Sequence, residues 1–99
     1  MFVVLLTYKK PLDVVEEYLA AHREFLDEGY SNDFFVVSGP QNPRIGGIII
    51  SQLTDHDQLT KILKDDPFNM HHVADYEIIE FNPVKRHPNF ASFVELTNT

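Results

Sequence analysis

Leu12-Asp13-Val14-Val15-Glu16-Glu17-Tyr18-Leu19-Ala20-Ala21-His22-Arg23-Glu24-Phe25-Leu26-Asp27-Glu28-Gly29 is the segment on which the fold turns. Leu12, Val15, Leu19, His22 and Leu26 recur at spacings of three, four, three and four, the period of a helix with one buried stripe. Asp13, Glu16 and Glu17 stand in the first turns, where the helix dipole favours negative charge, and Gly29 is expected to stop the helix. Upstream, Phe2–Tyr8 is rich in β-branched and aromatic residues and ends before Pro11, so it reads as a strand. Downstream, Phe34–Ser38 reads as a second strand closed by Gly39-Pro40, and Gly46–Leu53 as a third. Asp55, with Gln58 three residues on, predicts a capped second helix running to about Lys64. Asp66-Pro67 starts a separate short turn, with Asp as cap and Pro at the first helical position. Asp75–Phe81 is the last strand.

The order is β-α-β-β-α-β, an α+β chain on the split βαβ or ferredoxin-like plan, with both helices on one face of a four-stranded antiparallel sheet. A sheet with one wet face shows clean apolar/polar alternation. These strands do not. Phe2/Val4/Leu6 and Val3/Leu5 are both apolar sets, as are Phe34/Val36 and Phe35/Val37, and Ile48/Ile50 and Ile49. The second sheet face therefore needs a cover, and a two-fold homodimer with sheets packed face to face is the expected one.

A chain of 99 residues has room for one core, so a single domain is expected over residues 1–99, with its core in about 1–82. Residues 83–99 form a tail with Phe90, Phe93, Val94 and Leu96, expected to pack at the seam between subunits. The formal charge is −7, and protonating all five histidines still leaves −7 + 5 = −2, so no nucleic-acid partner is expected. Cysteine is absent, which removes thiolate chemistry and Cys-based metal sites and accords with a cytoplasmic location. The apolar start Phe2–Leu6 is short and has no basic residues before it, so neither a signal peptide nor a membrane partner is expected.

His22 is the most informative single residue. It falls inside the apolar arc of the first helix, where a polar ring must find a hydrogen-bond partner. A core histidine tied to a backbone carbonyl satisfies that demand. So does a pocket histidine tuned by a carboxylate to move protons near neutral pH. Asp65-Asp66-Pro67-Phe68 offers a carboxylate, and a helix cap and a histidine partner can be one residue, since a carboxylate has two oxygens. Ser38-Gly39-Pro40-Gln41-Asn42-Pro43-Arg44-Ile45-Gly46-Gly47 reads either as a shaped hairpin with Arg44 in water or as a pocket rim that binds an anionic or carbonyl group. Its spacing is not that of a phosphate loop. His71-His72 and His56 lack the spacing of metal ligands, and no metal is expected. Tyr8, Tyr18, Tyr30 and Tyr76 are scattered and read as core edge.

Together these segments resemble the YciI-like (YCII-related) family. The resemblance runs from the first strand to about Pro88. It rests on Ala21-His22-Arg23-Glu24-Phe25-Leu26, on Ser38-Gly39-Pro40-Gln41-Asn42-Pro43-Arg44 with Gly46-Gly47, on Asp66-Pro67-Phe68, and on Tyr76-Glu77-Ile78-Ile79-Glu80-Phe81 with Pro83-Val84-Lys85. It implies a ferredoxin-like protomer pairing into a dimeric α/β barrel, and a His–Asp dyad in a pocket at His22 and Asp66. The Ser38-Gly39-Pro40 turn would lie beside that pocket, with Arg44 and Phe68 as further substrate-binding residues. One departure is His72, which stands where a glycine is common in the family. The implied activity is cofactor-free acid–base chemistry of an elimination or isomerisation type on a small oxygenated, partly apolar molecule. A non-catalytic dimer that binds a small ligand or serves as an accessory domain is the alternative.

Overall fold

A computed structural model describes residues 1–94. Its elements are β1 (Phe2–Tyr8), α1 (Leu12–Ser31), β2 (Phe35–Pro40), β3 (Gly46–Ser51), α2 (His56–Leu63), α3 (Pro67–Met70) and β4 (Ala74–Glu80). A 3-10 turn (Pro88–Phe90) and a last helical turn, α4 (Ala91–Val94), follow. The four strands form one antiparallel sheet in the order β2-β3-β1-β4. The expected order of elements is the observed one, with the short Asp66-Pro67 turn folded as α3.

Strand register sorts the side chains into two faces. Val4 lies between Ile49 and Ile78, and Leu6 between Gly47 and Tyr76. Phe2, Val4, Leu6 and Ile49 are buried in the core with Val15 and Phe25 of α1, Leu59 and Leu63 of α2, and Phe68 of α3. Successive strand residues point to opposite faces, so Val3 between Ile50 and Ile79 lies on the other one. That face is apolar but uncovered in the protomer: Val37 is 50% exposed and Ile79 43%.

Three local expectations are corrected. The first helix does not stop at Gly29; it continues to Ser31. The glycine is there for close packing, because a Cβ on Gly29 would sit 2.2 Å from the Phe35 ring. The left-handed turn falls instead at Asp33, with φ of 60°, and the Asn32 amide holds the last turn by donating to the Glu28 carbonyl. Leu12, placed on the buried stripe by its spacing, is 46% exposed as the first helical residue, and the stripe closes over Val15, His22, Phe25 and Gly29. The cap of α2 is Asp55 accepting from the Asp57 amide at 2.9 Å, without a box through Gln58.

Of the tail, Val94 is buried within the protomer and the Phe90 and Phe93 rings pack at 5.3 Å. Leu96 lies outside the described residues. Among the described residues no helix is long and apolar enough to cross a membrane.

Candidate functional site

Helix α1 lies beside α3, and their junction joins His22 to Asp66. Asp66 is the N-cap of α3: its Oδ1 accepts the Phe68 amide at 3.0 Å, and Pro67 follows at the first helical position, where no donor is missed. The same Oδ1 lies 2.8 Å from His22 Nδ1, and Oδ2 accepts the Tyr76 hydroxyl at 2.5 Å. The carboxylate is wholly buried, with 0% exposure, yet three donors converge on it, so its desolvation is met by hydrogen bonds. Opposite a carboxylate, which only accepts, His22 Nδ1 takes the donor role in the shared bond.

The imidazole plane is fixed as well. It stacks on the Phe68 ring at 4.0 Å between centroids and 7° between planes. Phe68 is itself held edge-on by Tyr8. His22 is thus pinned by a bond in its plane and a ring on its face, the arrangement that makes a proton-transfer group directional.

His22 forms part of the wall of a cavity of about 840 Å³ between α1 and the β2–β3 hairpin. Ser38, Gly39 and Pro40 from β2, Arg44 from the β2–β3 connection, and Phe68 from α3 line the same cavity. Asp66 does not; it sits behind His22. Leu6, Leu19, Leu26 and Ile49 give the cavity an apolar wall. Arg44, left open between water and a pocket rim, is half-buried at the rim and paired with Glu16 across from α1. Its bonds to Glu16 and then Tyr8 push the guanidinium pKa further up, so it stays charged.

Sequence reasoning missed three of these partners. Tyr76 read as core edge, but its place opposite Leu6 in β4 puts it on the helix-covered face, where its hydroxyl reaches Asp66. The alternation Ala74/Tyr76/Ile78 was the available signal. Tyr30 bonds Ser38 at 2.5 Å between hydroxyl oxygens at the cavity wall, and Glu16 holds Arg44. The remaining histidines lie apart: His56 packs edge-on to Phe2, and His71 stacks on Tyr18. His72 does not line the cavity; its φ of 55° is the left-handed geometry a glycine adopts freely, which is what its position asks for.

Burial, and then the charge and hydrogen bond of Asp66, push the Tyr76 phenol pKa well up, so the ring is neutral throughout the ordinary range. A proton held more tightly in the fold than in the unfolded chain stabilises the fold below the phenol's ordinary value of about 10. That stabilisation is lost as pH rises above it. The wild-type melting temperature is therefore expected to fall more steeply above about pH 10 than that of Tyr76→Phe, which has no phenol to ionise. Parallel alkaline limbs for the two proteins would contradict this.

The backbone is similar to that of 5-chloro-2-hydroxyhydroquinone dehydrochlorinase from Burkholderia phenoliruptrix, solved in complex with 2,5-dihydroxybenzoquinone. The TM-score is 0.66 at 18% identity, and the match covers 90% of this chain and 97% of that one. Among curated proteins no sequence matches this chain. The family model of the YCII-related domain matches residues 1–82, which hold strands β1 to β4, helices α1 to α3 and all the cavity residues. The chain belongs to the YCII-related domain family.

Proposed function

We propose that the protein binds a small oxygenated, partly apolar ring and acts on it by cofactor-free acid–base chemistry of the elimination or isomerisation type. The observation that carries this reading is the His22–Asp66 pair, with His22 at the wall of a cavity large enough for a small ring. His22 takes a proton from the ring through Nε2, and Asp66 holds the tautomer and stabilises the imidazolium that forms. In an elimination the electron pair left behind expels a leaving group as its anion and a double bond forms. In an isomerisation the proton returns at another ring atom. Ser38, the backbone of Gly39 and Pro40, and Arg44 bind the ring's oxygens, and Phe68 packs against it. The structurally similar dehydrochlorinase and its ring ligand support this chemical class. The uncovered apolar sheet face supports a homodimer built through it, the cover that the strand pattern asks for.

The test is chloride release from a chlorinated hydroxyhydroquinone, with ring binding followed in parallel. His22→Gln keeps a donor for Asp66 but has no base, so turnover is expected to fall about 10²–10⁴-fold with the fold intact. Full activity in His22→Gln would overturn the mechanism. Binding without turnover in the wild type would favour the non-catalytic ligand-binding dimer instead.

A further inference from the structure

The cavity beside His22 carries charge as well as apolar wall. Glu16 of α1 and Arg44 of the β2–β3 connection both line it and meet at its rim through Glu16 Oε1 and Arg44 Nη1. Their side chains are 53% and 36% exposed, so both remain reachable from the space a ligand enters. Arg23 and Asp27, four residues apart on α1, add one charge of each sign to the same wall. Two guanidiniums and two carboxylates leave that wall formally neutral, His22 aside.

A guanidinium at a cavity rim is otherwise an attractive partner for a carboxylate, which it can grip with two parallel hydrogen bonds. Here Glu16 already occupies it. An incoming ring carboxylate would have to displace Glu16 or sit beside a like charge. An uncharged hydroxyl or carbonyl oxygen meets no such obstacle, because it needs only one of the N–H groups that Glu16 leaves free.

We propose that Glu16 is a specificity-determining residue: by occupying Arg44 it reserves the cavity for uncharged oxygenated rings over their carboxylated counterparts. This rests on reading the cavity as a site for small oxygenated rings.

The experiment is calorimetric titration of hydroquinone and of its ring carboxylate, gentisate, into the wild type and Glu16→Gln. The wild type is expected to bind hydroquinone more tightly than gentisate. Glu16→Gln should leave hydroquinone affinity within about twofold and raise gentisate affinity roughly five- to tenfold, the effect of one partly screened charge contact. The gain should shrink as salt is added, which a merely structural change would not produce. An unchanged preference with hydroquinone still bound overturns the role of Glu16 and leaves the ring-binding reading standing. A wild type that prefers gentisate, or a gain that ignores salt, also overturns it. If neither ring binds either protein, both readings fall.

Discussion

Asp66→Ala is expected to lose about 3–5 kcal/mol of stability, a large share of the roughly 5–15 kcal/mol that holds a typical domain folded. The substitution removes the acceptor of three buried or half-buried donors at once: His22 Nδ1, the Tyr76 hydroxyl and the Phe68 amide. Each orphaned buried donor costs about 1–3 kcal/mol, and α3 loses its N-cap in the same step. The costs overlap, so their full sum is not reached. Asp66→Asn is the informative comparison. Its carbonyl oxygen can accept from His22 and Phe68, while its amide can donate to the Tyr76 oxygen, since a phenol accepts as well as donates. It should therefore lose only about 1–2 kcal/mol. Chemical denaturation of both variants decides the matter. Equal losses for Ala and Asn would mean that Asp66 matters for its charge or its space, not for the three bonds.

Gly46→Ala is expected to be at least as damaging, for a reason that lies in the main chain. An added Cβ would stand 1.8 Å from the Leu6 carbonyl oxygen and 2.8 Å from its carbon. Those atoms belong to β1, which lies in the sheet interior between β3 and β4. A flexible side chain could rotate away, but a ladder-bonded carbonyl cannot move without breaking the β1–β3 register that pairs Thr7 with Gly46. Overpacking of a core usually costs about 1–3 kcal/mol, and a backbone clash belongs at or above the top of that range. Gly39→Ala is the matched control, because nothing lies within 4 Å of the Cβ it would add. The urea midpoint should drop sharply for Gly46→Ala and hardly move for Gly39→Ala. A Gly46→Ala protein within about 1 kcal/mol of the wild type would show that the β1–β3 pairing can open at this end.

The amino-acid sequence by itself determined the order of elements, because period and punctuation are local properties. The three-and-four spacing in α1, the β-branched strands and the Asp66-Pro67 start of α3 all act over a few residues. It also placed His22 on the buried stripe and marked Asp66 as a cap, since both follow from helical geometry. Where α1 ends was decided elsewhere: Gly29 is a stop signal in isolation, but Phe35 fills the space beside it and the helix runs on to Ser31. Only the tertiary structure brought Tyr76 onto Asp66, Tyr30 onto Ser38 and Glu16 onto Arg44. Tyr76 reaches Asp66 because β4 pairs with β1, and Glu16 meets Arg44 because the β2–β3 connection lies across from α1. Such pairings depend on register and packing between elements distant in the chain, and no local pattern encodes them.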